Sequence, residues 1–205
     1  MTRPLICLVT SGRLTSAGAL SSVAARAVSA GIDLLQVRER ALNDRELLAS
    51  LRLAAAVPGA ASRLVVNDRL DLALAAGAAG VHLPGASVPP SIVRTITPAD
   101  FLVGTSVHSV DEARRIEGAG GCDYLIFGTV FPSASKPGTP AAGVAALGEV
   151  CRAVALPVLA IGGITVANAR EAAAAGAAGV AAISLFEGPD DLGPMVRQLR
   201  QAFDN

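Results

Sequence analysis

Two histidines stand in this 205-residue chain, and one of them, His108, lies in the stretch TSVHSVDEA, where an apolar run from Phe101 gives way to a helix-like segment. An imidazole titrates near pH 6.5, so at such a junction it can take a proton and return it close to neutrality. A surface ring or a capping group is the plainer use of the same residue. Upstream, Gln36-Val37-Arg38-Glu39-Arg40 ends a strand-like run. Strand side chains alternate, which groups Gln36, Arg38 and Arg40 on one face and Leu35, Val37 and Glu39 on the other. Arginines turned inward need a counter-charge. An anionic substrate would supply it, and so would an ion pair with Glu39 or another acid.

Downstream, Gly162-Gly163-Ile164-Thr165 follows another apolar run, and Ser184 closes the next one. Paired glycines let backbone N–H groups approach phosphate oxygens, and a following helix adds its dipole. A tight turn would use the same glycines. Asn67 and Asp68 end the run RLVVN, where they either face a site or cap a helix. His82, in GVHL, is flanked by apolar residues and reads as a hydrogen-bonded core histidine. Lys136 sits in FPSASKPGTPAAG, residues 131–143, whose Pro, Ser and Gly content makes a loop. It joins a site only if that loop folds over it.

These residues need a frame. Short apolar, β-branched runs at 5–10, 33–39, 63–67, 79–83, 101–106, 123–130, 157–162 and 179–184 alternate with Ala-rich helical stretches near 16–30, 43–56, 69–76, 89–96, 109–118, 142–153, 165–175 and 189–203. Alternation of this kind builds βαβ units and a parallel sheet. Eight units predict a closed (β/α)8 TIM barrel in a single domain spanning residues 1–205, with any active site at the C-terminal ends of the strands. A weak repeat agrees: AAGAAGV occurs at 75–81 and at 174–180, and SAGIDLL (29–35) resembles GAGGCDYL (118–125). An open doubly wound sheet is the alternative, but no GxGxxG or Walker-type loop is present.

Composition narrows the function classes. Hydrophobic residues make up 52% and charged residues 17% of the chain, enough to bury a sizeable core, and the formal net charge is zero. There is no whole-molecule field to draw nucleic acid or an anionic membrane. Cys7, Cys122 and Cys151 show no metal-ligand spacing, and the expectation is no metal and no cofactor. No membrane-length run or signal-like start is evident, so the expected location is cytoplasmic. Homo-oligomerisation is left open. The residues alone describe a cofactor-free enzyme acting on a small phosphorylated anion by proton transfer.

Several motifs together resemble the thiamine phosphate synthase superfamily: QVRER (36–40), VVNDRLDLAL (65–74), GVHLPG (80–85), GTSVHSVDEA (104–113), DYLIFGTVFPSASKPG (123–138) and AIGGIT (160–165). The resemblance implies one of two enzymes. A synthase joins a pyrimidine pyrophosphate to a thiazole phosphate with Mg²⁺. A thiazole tautomerase, of the TenI branch, aromatises the thiazole carboxylate phosphate beforehand. The synthase branch implies two metal-binding acids, one in the ND motif, matched by Asp68, and one in a GQxD pattern just after the GVH strand. The segment LPGASVPPSIVRTITP, 83–98, contains no acid. Synthases also usually carry Lys where Arg40 stands.

The SVHS segment, the LPG turn and the RER triplet resemble the tautomerase branch. On that resemblance the expectation is an isomerase with His108 as proton shuttle. Arg38, Arg40, Asn67 and Lys136 would stand around the substrate, and Gly162, Gly163 and Ser184 around its phosphate. A Mg²⁺-dependent synthase and a non-catalytic binder of a phosphate metabolite are the alternatives.

Overall fold

The computed structural model describes residues 3–14, 16–133 and 140–204. Eight parallel strands close into one barrel in chain order. They are β1 (Leu5–Val9), β2 (Leu34–Val37), β3 (Leu64–Asn67), β4 (Gly80–Leu83), β5 (Leu102–Val107), β6 (Tyr124–Gly128), β7 (Val158–Ile161) and β8 (Gly179–Ala182). The helices that follow them are α1 (Ala17–Ala30), α2 (Asp44–Ala55), α3 (Leu70–Ala76), α4 (Pro90–Arg94), α5 (Val110–Ala119), α6 (Gly143–Ala153), α7 (Ala169–Ala174) and α8 (Gly193–Gln201). The ring closes where β1 pairs with β8, Leu5 opposite Gly179 and Cys7 opposite Ala181. This is the predicted (β/α)8 TIM barrel.

The core has two layers. Leu20, Ile32, Leu51, Leu64, Leu125 and Leu147 belong to the large layer of buried hydrophobics, and each fully buried side chain of this size contributes about 1.5–3 kcal/mol. Inside the barrel Cys7, Val9, Leu34, Val65, Tyr124, Ile126, Leu159 and Ala181 fill the floor. Gly104 is small because the Tyr124 ring takes its space: a Cβ there would stand 2.1 Å from the ring.

The repeat seen in the sequence has a structural basis. Asp33 precedes β2 and accepts the N–H of Ile6 from β1 at 2.8 Å; Asp123 precedes β6 and accepts the N–H of Val103 from β5 at 2.7 Å. Each acid is also paired with an arginine, Arg200 and Arg94 respectively. The same device ties a strand to its successor in two places a half-turn of the barrel apart. In the two AAGAAGV copies, Gly77 and Gly176 both take positive φ just past a helix.

Helix boundaries differ from the sequence reading where side chains compete with the backbone. Residues 165–168 were expected in a helix, yet α7 starts only at Ala169. Thr165 N–H donates to Asn168 Oδ1 (2.8 Å) and Asn168 N–H to Thr165 Oγ1 (3.2 Å), which holds a turn instead. Residues 189–192 likewise precede α8, where Asp191 Oδ1 accepts the N–H of Gly193 at 2.8 Å. No helix among the described residues is long and apolar enough to cross a membrane.

Candidate active site

A cavity of about 440 Å³ opens at the C-terminal ends of the strands, within the usual range for a small-molecule site. Each strand that carries a predicted residue delivers it there, with the exceptions given below.

From β2 come Gln36, Arg38 and Arg40, all lining the cavity, as alternation requires. Glu39 turns away and is buried. Its carboxylate accepts the N–H of Gly12 at 3.1 Å and of Leu14 at 3.0 Å, so it is occupied by the loop after β1. The expected alternative, an ion pair between Glu39 and the arginines, is therefore not formed. Neither guanidinium has an acid partner among the described residues. Desolvation holds the pKa of Arg38 below the usual arginine value, and the neighbouring Arg40 charge adds to this. Two cations thus face one cavity with no carboxylate paired to either among the described residues, which makes the local potential positive.

From β3, Asn67 lines the cavity and Asp68 stands just outside its wall. Asp68 has φ of 65°, the left-handed region that few non-glycine residues adopt. The Ser87 hydroxyl donates to its Oδ1 at 2.6 Å. The neighbouring Arg69 is spent elsewhere, on Asp44 and Asp71.

His82 on β4 and Ser106 on β5 form the back of the site, with Nε2 and Oγ 2.9 Å apart. His82 is thus the hydrogen-bonded core histidine expected, and it also faces the cavity. Burial pushes its pKa down to about 3, so the ring is neutral across the physiological range. Its Nδ1, the Gln36 side-chain nitrogen and the Tyr124 hydroxyl are buried with no protein partner.

His108 lies at the exposed rim, two residues beyond Ser106. Its Nδ1 is 2.7 Å from the Gly128 carbonyl, which can only accept, so Nδ1 carries the proton and Nε2 is turned outward. Its backbone N–H donates to Glu112 Oε2 at 2.7 Å, and Ser109 caps α5 through the Glu112 N–H. β5 lies opposite β1 in the ring, so His108 stands across the mouth from the end of β1.

Gly162 and Gly163, after β7, and Ser184, after β8, line the cavity. Both glycines have positive φ, 99° and 61°. A Cβ on Gly162 would lie 2.5 Å from Thr129, and one on Gly163 would lie 2.3 Å from the Pro132 carbonyl. Glycine is therefore required for packing of the loop after β6 as well as for a close ligand approach. The Gly163 N–H is accepted by no group among the described residues, while Asn168 holds its carbonyl at 2.9 Å. Lys136 lies outside the described residues.

Ser106 lines the cavity too, though the sequence reading assigned it no role of its own; Thr129 and the cavity-facing side of His82 were not foreseen. Alternation on β5 groups Ser106 with His108, which was signal enough. Nothing in the sequence marks Thr129. Among the described residues no three His, Cys, Asp or Glu side chains gather as a metal cluster.

The fold and the site define a (β/α)8 barrel with a cavity at the C-terminal ends of its strands that two arginines line. The chain belongs to the thiamine monophosphate synthase family, whose model matches residues 6–186. A thiamine-phosphate synthase of Methanoculleus marisnigri is 43% identical over 182 residues, 88% of this chain and 86% of that protein. One from Albidiferax ferrireducens is 38% identical over 199 residues, 96% and 90% respectively. The solved structure of a thiamine phosphate pyrophosphorylase from Pyrococcus furiosus superposes with a TM-score of 0.80 at 30% identity, covering 98% of this chain and 95% of that one.

These relatives overturn the expectation of an isomerase. They are named for the synthase activity, a transferase, and not for thiazole tautomerisation. The SVHS segment that carried the tautomerase expectation places His108 at the rim as foreseen, but a rim histidine held by a backbone carbonyl does not distinguish the two chemistries.

Proposed function

We propose that the chain is a thiamine-phosphate synthase, joining a pyrimidine methyl diphosphate to a thiazole phosphate and releasing inorganic pyrophosphate. The observation that carries this reading is the pair of acid-free guanidiniums, Arg38 and Arg40, in the same cavity as the Gly162–Gly163 turn. One cavity with two anion-binding corners suits two phosphorylated substrates. The names of the relatives support the same reading.

In the reaction the methylene C–O bond breaks and its electron pair leaves on the diphosphate. The thiazole nitrogen gives its lone pair to the methylene carbon. No proton has to pass between carbons, so the chemistry asks for charge stabilisation rather than for a base at His108. Arg38 and Arg40 stand where negative charge grows on the leaving oxygen. Gln36 and His82 offer polar atoms to the pyrimidine ring in the floor. The Gly163 N–H and Ser184 hold the thiazole phosphate, with Asn67 at the opposite wall.

A synthase implies Mg²⁺. An ion that bridges a diphosphate needs one or two carboxylates, with phosphate oxygens and water completing its shell. Asp68, with only Oδ1 engaged by Ser87, meets the lower figure, so the donor set fits an ion held largely by the substrate. Asp68 and Ser87 would hold it. When bound, it supplies further neutralisation of the leaving diphosphate.

The test is to supply both substrates with Mg²⁺ and to look for the condensed product by mass spectrometry. Condensation supports the reading. Its absence under conditions where the folded protein binds both substrates contradicts it.

A further inference from the structure

Glu39 is a buried acid that the reaction above does not use. It sits between the two arginines in sequence and on the opposite face of the strand end. Both of its oxygens are taken by the loop after β1, through the N–H groups of Gly12 and Leu14. The same loop is stitched to the same strand end by Thr10, whose hydroxyl accepts the N–H of Arg38 at 2.9 Å and whose own N–H donates to the Gln36 carbonyl at 2.9 Å. Gly12, at φ of 82°, brings the loop against the Arg38 carbonyl; a Cβ there would stand 3.5 Å from it. Leu14 packs its side chain on the core.

We infer that Glu39 is a positioning residue for the anion site: by clamping the Gly12–Leu14 backbone it holds the strand end in the shape that aims Arg38 and Arg40 into the cavity, and it keeps its own charge from pairing with them. The inference rests on the reading of the mouth as a diphosphate site. It separates cleanly from a bystander role because the two predict opposite signs. A carboxylate that merely lies beside two arginines weakens their attraction for an anion, so removing its charge tightens anion binding. A carboxylate that aims them strengthens binding through the two N–H groups its oxygens accept, so losing either acceptor weakens anion binding.

The experiment measures inorganic pyrophosphate binding by calorimetry, without turnover, in the intact protein, Glu39→Asp and Glu39→Gln, with thermal melting as a control. Glu39→Asp keeps the charge but shortens the side chain by one methylene and cannot span both N–H groups. Glu39→Gln keeps the length and loses the charge, but its single amide oxygen accepts only one of the two N–H groups and its NH2 faces the other. Both variants are expected to bind more weakly than the intact protein, Glu39→Gln by at least about threefold and Glu39→Asp by about tenfold. An unchanged Kd in Glu39→Asp overturns the inference, and so does tenfold tightening in Glu39→Gln, which decides the matter alone if Glu39→Asp does not fold. Failure of the intact protein to bind pyrophosphate removes the diphosphate reading itself, and the role of Glu39 falls with it.

Discussion

The hydroxyl of Ser87 lies 2.6 Å from Oδ1 of Asp68, donating to a carboxylate that the chain holds at φ of 65° beside the mouth. The segment after β4 thus meets Asp68 with a neutral group, where the family resemblance led us to look for a second acid.

Asp68→Asn removes the acid that, in the proposed synthase, would hold Mg²⁺ on the diphosphate. Coupling is expected to fall at least about a hundredfold, with partial recovery at high Mg²⁺. Ser87→Asp adds a second carboxylate and is expected to lower the half-saturating Mg²⁺ concentration several-fold. Titration of initial rate against Mg²⁺ checks both; indifference of the half-saturating concentration to Ser87→Asp would count against the pairing.

His108→Asn keeps a donor within reach of the Gly128 carbonyl, since the amide nitrogen of Asn can replace Nδ1. Because condensation moves no proton between carbons, kcat should stay within about threefold of the intact protein. A hundredfold loss in steady-state assays would return a chemical role to this imidazole.

His82 carries a pH signature. Its folded pKa is about 3 and its unfolded value about 6.5, so between those limits the unfolded chain binds a proton that the native ring refuses. Stability from this group is complete above pH 6.5 and is lost as pH falls toward 3, by up to about 1.4 kcal/mol per pH unit. Urea denaturation at pH 7 and pH 5 should show a smaller drop in His82→Gln than in the intact protein. Equal drops would mean that the ring is already protonated or exposed in the native state.

Gly104→Ala tests the floor. Its Cβ would meet the rigid Tyr124 ring at 2.1 Å, with the ring centroid 5.8 Å from that of His82, so the ring must tilt toward the cavity or the strands must part. Overpacking of this kind destabilises by about 1–3 kcal/mol or more. Thermal and urea melts read it directly, and an unperturbed melt would mean that the ring has room.

Much of this architecture was legible in the residues alone. The order of eight strands and the cavity-facing side chains Arg38, Ser106 and His108 follow from a period of two, because one face of each strand end opens on the mouth. The ends of α7 and α8 were not legible, since side-chain turns at Thr165–Asn168 and Asp191 take backbone groups that periodicity assigns to helix. The partners of Glu39 were not legible for a similar reason. An acid between two arginines reads as their counter-ion in one dimension, whereas in three it meets the N–H groups of Gly12 and Leu14. The choice between two chemistries failed because it leaned on His108, a residue whose position at the rim suits either.

The central claim is that Arg38 and Arg40 bind a diphosphate that departs as two substrates are joined. The most direct measurement is the stoichiometry of inorganic pyrophosphate release in the intact protein and in Arg38→Ala, with each substrate alone and with both. The account predicts one pyrophosphate per condensed product, none without the thiazole phosphate, and a loss of at least about a hundredfold in kcat/KM in the variant. Full-rate, stoichiometric release in Arg38→Ala would contradict it.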